Sequence, residues 1–260
     1  MSVDRETVQY SAKATGLFYY YGDHPDRDFV FGGRIHSTSD VGINGHTVDF
    51  PAYPVGNIHG GIVCLNGQYY IFDHRHTHRS SFCRQGVAEP IYFDENGMIA
   101  QVEATSCGLN QGLLAGEGVY PAYIACNLFY SPDVPKEEWR ACVTQDVVDI
   151  DPEQAASCSF DEPVGYIHEI SDGCIIGYKY FSFSKPILDL KLLVRGHADG
   201  MLKVKLAEQA DQVVGVAEIH VRSDSWNQIH VPVSISCGTS ALFLEYIGEG
   251  CFDMLEFEME

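Results

Sequence analysis

A tight-turn signal inside an alternating apolar segment constrains the fold of this chain more than any other feature. The apolar run IVCL at residues 62–65 is followed by Asn66-Gly67, and the β pattern resumes over residues 68–72. Asn-Gly adopts the left-handed backbone of a type I′ turn, whose twist matches that of two paired strands. The pattern therefore predicts an antiparallel hairpin across residues 56–82, with no helix between residues 61 and 72.

Histidines and arginines are concentrated at the predicted ends of these strands. A rigid sheet can hold such side chains around a pocket, although a solvated surface is the alternative. Alternate residues of a strand share one face, so three of the histidines could also meet around a metal ion. No cysteine or carboxylate completes that set at a recognisable spacing, which disfavours a metal-binding protein built on these histidines. The residues concerned are His59, His74, His76, His78, Arg75, Arg79 and Arg84.

Several strings in residues 10–128 resemble the last blade of the five-bladed β-propeller of glycoside hydrolase family 43. They are GNIHG (56–60), QYYIFDHRHTH (68–78), the segment 82–110 and EGVYPAYIACNL (117–128). PDRDFVFGG (25–33) and DVGING (40–45) resemble the connection from the fourth blade into the fifth. That family contains α-L-arabinofuranosidases and β-xylosidases. The resemblance implies an all-β fold with a partial propeller over residues 1–128.

The same resemblance implies roles for individual residues of the pocket wall. Arg84 would hydrogen-bond the sugar at the cleavage site, with Asn57 and His74 as further substrate-binding residues. His59 would point into the central channel of the propeller, where the family holds a metal ion or a water molecule. We expect Arg84 and His59 to lie close together.

Two departures from the family pattern concern this pocket. Ile58 replaces the second of two asparagines and cannot hydrogen-bond through its side chain. Asp73 replaces a tyrosine, and the expected consequence is an added negative charge.

The acidic residues do not supply the catalytic pair of an inverting hydrolase, which needs two carboxyls roughly 6.5–9.5 Å apart. In the family these acids come from the first three blades, whereas residues 8–11 already resemble an inner strand of blade four. Asp23, Asp26 and Asp28 are interpreted as part of a solvated loop. Glu89 and Glu117 are interpreted as non-catalytic residues. The chain is therefore interpreted as the C-terminal portion of a hydrolase of arabinose- and xylose-containing plant polysaccharides, inactive alone. The alternative is a non-catalytic carbohydrate-binding or structural remnant.

Composition limits the partners. The formal net charge of −20 over 260 residues disfavours nucleic acid and anionic membranes, and leaves neutral oligosaccharides. The nine cysteines are scattered without a C-x-x-C pair, and Met1 is not followed by a signal-peptide pattern, so a reduced, cytoplasmic protein is expected. A secreted origin stays open if residues precede Met1.

The second half predicts a different domain. Residues 129–159 are interpreted as a linker that contains a short helix at residues 136–143. Residues 160–260 show strands with turn signals every eight to twelve residues, as in a jelly-roll-like β-sandwich. DGCIIGYKYFSF (172–183), RGHADGMLKV (195–204), SWNQIHVPV (225–233) and the segment 237–257 resemble carbohydrate-binding module family 6.

That resemblance implies two further kinds of site. Trp226 and Tyr178 are candidates for stacking on a sugar face, with a core role as the alternative, which also applies to Tyr180. Glu169 and Asp253 are candidate ligands of a structural calcium ion. An incomplete propeller would leave unpaired strand edges, so we expect either self-association or pairing with the missing N-terminal blades as a separate chain.

Overall fold

A computed structural model of the chain describes residues 16–145, 165–208 and 212–260. Strands dominate these residues, and the helical elements among them are two 3-10 turns, Ala122–Ile124 and Lys136–Glu138. The all-β fold expected from the sequence is confirmed. The strands are β1 Leu17–Tyr21, β2 Val30–His36, β3 Gly61–Leu65, β4 Gln68–Thr77, β5 Ser80–Ile91, β6 Leu114–Ala115, β7 Gly118–Pro121, β8 Asn127–Tyr130, β9 Cys142–Gln145, β10 Gly165–Ile170, β11 Cys174–Phe183, β12 Ile187–Lys205, β13 Val213–Ile235 and β14 Gly238–Met259.

The first compact unit ends at residue 112 and excludes residues 77–83. It contains the antiparallel ribbon β1–β2 and a three-stranded sheet in the order β3–β4–β5. A small cluster of buried isoleucines, with side chains packed against it, forms its core. The cluster consists of Ile35, Ile71, Ile91 and Ile99, with Leu17, Tyr19 and Val102 packed against it.

The predicted hairpin is confirmed. β3 and β4 pair antiparallel without a register shift, and Leu65 lies opposite Gln68. Asn66 and Gly67 have φ angles of 52° and 85°, as a type I′ turn requires. This turn fixes the register of β4, and therefore fixes which of its side chains share a face.

The second unit comprises residues 77–83 and 113–260, and its described residues from 113 onward form one nine-stranded sheet. Its main path runs β13–β12–β14–β10–β9, and β11 pairs with β14, β6 and β8. In its core, the fully buried rings of Tyr178 and Phe181 each pack against the fully buried ring of Phe257. The short strands expected after residue 187 are instead joined into β12, β13 and β14, because register shifts such as that at Val194/Gly196 allow a strand to bend without ending.

The first unit ends at Gly112, sixteen residues before the boundary expected at residue 128. The reason is strand pairing: β6 and β8 pair with β11, and β7 pairs with β14. The helix expected at 136–143 is limited to the 3-10 turn Lys136–Glu138, and β9 begins at Cys142. Of the expected linker, residues 146–159 lie outside the described residues.

No helix in the described part of the chain has the length and apolar character needed to cross a membrane. Every cysteine in these ranges is a free thiol. Cys64, Cys237 and Cys251 are exposed, whereas Cys126, Cys142 and Cys174 are buried.

Candidate functional site

Five polar residues of the first unit come together beside β4. His74 and His76 are two positions apart on this strand, so they share a face, and their rings stack with centroids 6.3 Å apart. His59 places its ring against that of His74, at 4.4 Å. Asn57 accepts a hydrogen bond from His76 through its side-chain oxygen. Arg84, on β5, is close enough to lower the pKa of both His74 and His76 through its charge.

Two glycines allow the segment that carries Asn57 and His59 to approach β4. A Cβ atom on Gly56 would lie 2.4 Å from the Nδ1 atom of His76, and one on Gly60 would lie 1.8 Å from the carbonyl oxygen of Phe72. A larger side chain at either position would push the segment away from the strand. The string GNIHG is therefore a local requirement of the site.

The two imidazoles of β4 are held neutral. Burial is the main cause that lowers the pKa of His74, and the positive charge of Arg84 acts in the same direction. The pKa of His76 is lowered by burial first and by Arg84 second. Near pH 7 each ring therefore carries one N–H donor and one acceptor nitrogen.

The tautomer of His74 follows from its contact with the backbone. Its Nδ1 atom lies 3.3 Å from the carbonyl oxygen of His59, which can only accept, so Nδ1 carries the proton. Its Nε2 atom is then an acceptor, and it is buried without a hydrogen-bond partner among the described residues. His74 therefore retains an unused acceptor beside Arg84.

The opposite face of β4 supports the strand. The Arg75 guanidinium lies over the Tyr53 ring at 4.5 Å, and its Nε donates to Gln85 at 2.9 Å. Tyr53 donates in turn to the carbonyl oxygen of His76 at 2.9 Å. Arg75 is engaged by Tyr53 and Gln85 on the face opposite His74 and His76, so it acts as a structural support.

Asp73 also points to this buried face, so the charge expected for it lies away from His74 and His76. Its carboxylate is 3.7 Å from Nε2 of His36, and both side chains are almost completely buried. Burial raises the pKa of Asp73 to about 7, although the charge of Arg75 partly opposes the shift. Near neutral pH the carboxyl is therefore ionised only in part, which corrects the expected addition of a full negative charge to the pocket.

His78 and Arg79 do not join the cluster, because they form the two-residue turn between β4 and β5 with φ angles of 53° and 49°. His78 hydrogen-bonds Thr144 at 2.8 Å, and Arg79 pairs with Glu169 at 3.0 Å, both within the second unit. In the described residues no three His, Cys, Asp or Glu side chains are placed to hold a metal ion. The metal hypothesis built on alternate histidines is wrong for this run, because His78 leaves the strand.

The acidic residues considered in the sequence have structural surroundings. Glu89 is buried, and its two carboxylate oxygens accept from the backbone N–H and the hydroxyl of Thr105. Glu117 pairs with Lys185 at 2.9 Å on the surface. The loop that contains Asp23, Asp26 and Asp28 is exposed, as expected for a solvated segment.

The two stacking candidates of the second unit differ. Tyr178 is fully buried, and its hydroxyl donates to the carbonyl oxygen of Ala122 at 3.1 Å. Its ring therefore offers no face to a sugar, which corrects the stacking role to a core role. Trp226 is partly exposed, with the Arg195 guanidinium 4.3 Å over its ring and the edge of Tyr166 beside it. A sugar role for Trp226 stays a prediction.

Calcium needs six to eight oxygen ligands, and the surroundings of Asp253 do not fit that need. One oxygen of Asp253 accepts from His168 and from the backbone N–H of Glu169, and the other accepts from Arg195 at 2.9 Å. The Glu169 carboxylate pairs with Arg79. Both carboxylates thus already have cationic partners. A metal bound by His59 in the propeller channel stays a prediction.

Sequence reasoning named Arg84, His59, Asn57 and His74 as substrate-binding, and the structure brings all four to one place. It listed His76 only among the histidines at the strand ends, although His76 makes the contact with Asn57. The signal was present, because positions two apart on a strand share a face.

Comparisons with known proteins place these observations in context. No protein-family model matches the chain. A protein of Thermoclostridium stercorarium named xylosidase/arabinosidase is 37% identical over 252 residues, which cover 94% of this chain and 50% of that protein. The chain thus spans about half the length of this curated relative.

Solved structures with bound oligosaccharides also align with this chain. The glycoside hydrolase family 43 arabinoxylan arabinofuranohydrolase from Bacillus subtilis, in complex with cellotetraose, aligns with a TM-score of 0.50 at 16% identity. The alignment covers 94% of this chain and 47% of that one. The family 6 module CsCBM6-3 from Clostridium stercorarium, in complex with cellobiose, aligns with a TM-score of 0.43 at 14% identity over 57% of this chain and 97% of that one.

Proposed function

We propose that the chain belongs to glycoside hydrolase family 43 and forms part of a hydrolase of arabinose- or xylose-containing polysaccharides. Its 37% identity to a protein named xylosidase/arabinosidase supports this proposal. In this proposal the chain contributes one wall of the substrate pocket, through Arg84, His59, Asn57 and His74. In this proposal the general acid and base come from a segment equivalent to the half of the relative that lies outside the alignment.

The observation that carries the proposal is the placement of the Arg84 guanidinium near two imidazoles whose pKa values are lowered. A sugar hydroxyl both donates and accepts, and it carries no charge. Arg84 supplies donors in a rigid fork, while the unused Nε2 acceptor of His74 is suited to a hydroxyl donor. The lowered pKa of His74 keeps this acceptor available near pH 7.

A non-catalytic carbohydrate-binding role is the second candidate. A general acid must be able to reach the leaving-group oxygen. Glu89 is bound by Thr105 and Glu117 is paired with Lys185, so these contacts favour a role without catalysis for both carboxyl groups.

The test compares hydrolysis of nitrophenyl α-L-arabinofuranoside and nitrophenyl β-D-xyloside by the chain alone and by the chain with the unmatched half of the relative. We expect negligible turnover by the chain alone and turnover by the combination. Arg84→Ala should lower kcat/KM by about 10² or more, if the guanidinium contacts the sugar in the transition state. Arg79→Ala is the matched control, since this nearby arginine pairs with Glu169.

Two results would contradict the proposal in different ways. Robust turnover by the chain alone that Glu89→Gln or Glu117→Gln abolishes would show that the acid lies within this chain. A combination that binds xylo- or arabino-oligosaccharides without cleaving them would favour the non-catalytic role.

A further inference from the structure

The ring of His76 is held in a fixed orientation on β4. It stacks with the ring of His74 at an interplanar angle of 19°. The backbone of Gly56 lies against it, since an added Cβ atom there would be 2.4 Å from Nδ1 and 2.6 Å from Cε1 of His76. The carbonyl oxygen of His76 accepts from the Tyr53 hydroxyl at 2.9 Å, which also fixes the backbone at this position. These contacts define the direction in which the Nε2 atom of His76 points.

Asn57 differs from His76, because it is a short polar side chain that is exposed to solvent. Among the described residues its side chain is hydrogen-bonded to His76, through a contact of 2.5 Å between Oδ1 of Asn57 and Nε2 of His76. An exposed side chain loses rotamer freedom when it binds a ligand, and this loss lowers the affinity. A contact that orders the side chain beforehand therefore favours binding.

The atoms in this contact determine which end of the Asn57 amide points away from His76. The Oδ1 atom of Asn57 can only accept, so Nε2 of His76 carries the proton of the neutral ring. The Nδ2 amino group of Asn57 then points away from His76, with its N–H donors turned towards a ligand. His74 has the other tautomer, because its Nδ1 atom faces the carbonyl oxygen of His59. The two stacked imidazoles thus leave the site with a donor at Asn57 and an acceptor at His74.

Building on the proposed function, we propose that His76 is a positioning residue, which orients the Asn57 amide so that Nδ2 donates to a sugar hydroxyl. In this proposal His76 does not touch the sugar and acts through Asn57. A hydroxyl accepts from a donor such as Nδ2 and donates to an acceptor such as Nε2 of His74. A reversed amide would present its oxygen instead, and Asn57 and His74 would then both be acceptors. The orientation set by His76 therefore decides which ligand group Asn57 recognises.

The first experiment needs no ligand. The full 260-residue chain is labelled with nitrogen-15, and the shifts of the imidazole nitrogens show which of them carries the proton. The measurement is made at pH 8, where the lowered pKa of His76 leaves its ring neutral. We expect the proton on Nε2 in His76 and on Nδ1 in His74, with the Asn57 amide ordered in the wild type and mobile in His76→Phe. A proton on Nδ1 of His76, or an Asn57 amide that is equally mobile in both proteins, would overturn the proposal.

The second experiment separates positioning from ring packing. Xylotetraose and arabinotetraose are titrated, and binding is followed at the Asn57 side-chain resonances, so that sugar bound elsewhere on the chain does not contribute. His76→Phe keeps a ring beside His74 but removes the N–H, and should weaken binding about tenfold. His76→Gln keeps an N–H donor and should retain most of the affinity. The opposite order, with His76→Phe tolerated and His76→Gln not, would show a packing role and overturn the proposal.

A substitution at Asn57 tests the donor directly. Asn57→Asp keeps an oxygen for Nε2 of His76 but replaces the amino group by an acceptor, so it should weaken binding by about tenfold or more, as followed at the His74 ring. Asn96→Asp adds the same charge on an exposed turn of the first unit and is the matched control. Wild-type affinity in Asn57→Asp would overturn the donor role. The expected tautomers and an ordered Asn57 amide, without a response to either sugar, would support the orientation by His76 and contradict only the proposed function.

Discussion

Replacement of Asp73 by asparagine should make the stability of the first unit less dependent on pH. Burial raises the pKa of this carboxyl from 3.8 to about 7. Between these two values the folded state keeps a proton that the unfolded chain has lost. Stability therefore falls as the pH rises from about 4 to about 7, and changes little from this group above that range. An asparagine side chain does not titrate, so the variant lacks this loss.

The size of the effect follows from the shift. A change from 3.8 to about 7 is roughly three pKa units, and each unit corresponds to about 1.4 kcal/mol. Wild type should therefore lose up to about 4 kcal/mol relative to Asp73→Asn between pH 4 and pH 8. The buried amide has its own desolvation cost of about 1–3 kcal/mol, but that cost does not depend on pH.

The assay must report on the first unit. Both tryptophans, Trp139 and Trp226, belong to the second unit, so their fluorescence would follow the wrong part of the chain. Hydrogen exchange of peptides from β4, compared between wild type and variant at each pH, measures the opening free energy directly. Asp23→Asn, an exposed acid of the same unit, is the control. A difference between wild type and Asp73→Asn that stays constant from pH 4 to pH 8 would refute the reasoning.

Three further predictions concern other residues. Gly60→Ala should destabilise the first unit by roughly 2–4 kcal/mol, as measured by hydrogen exchange, because the new Cβ atom would lie 1.8 Å from the Phe72 carbonyl oxygen. Gly61→Ala is the control and should be nearly neutral, because a Cβ atom there meets open space. Tyr178→Phe should lower the unfolding free energy by about 1 kcal/mol in a denaturant titration, because it removes the hydroxyl that donates to Ala122; an unchanged unfolding free energy would contradict this. Millimolar calcium or EDTA should leave the melting temperature of the second unit unchanged, since Arg195 and His168 already bind both oxygens of Asp253; a clear calcium-dependent rise would contradict this.

Local chemistry explains which parts of the structure could be predicted from the sequence. Asn66-Gly67 sets its own turn, and that turn sets the register of β4, so the hairpin and the shared face of His74 and His76 follow from a few neighbouring residues. The grouping of Arg84 with His59 came from the family resemblance, since spacing alone does not bring β5 to that face.

Long-range contacts explain what the sequence did not predict. The approach of His36 to Asp73 joins two different sheets of the first unit, and no local pattern encodes it. The unit boundary at Gly112 depends on the pairing of β6 and β8 with β11, whose partners are distant along the chain. The burial of Tyr178 could not be predicted for a similar reason, because the sequence of a strand does not show whether one of its aromatic side chains faces solvent or a core.

If the proposed function holds, the division of β4 into a side that carries His74 and His76 and a side that carries Asp73 and Arg75 has a consequence for how this protein can evolve. Point substitutions at His74 or His76 can alter recognition while Asp73 and Arg75 continue to anchor the strand. An insertion or deletion of one residue in β4 would exchange the two sets, placing the anchors outward and the recognition residues inward. Natural variation along β4 should therefore consist of replacements at constant length, and changes in sugar preference should accumulate at alternate positions.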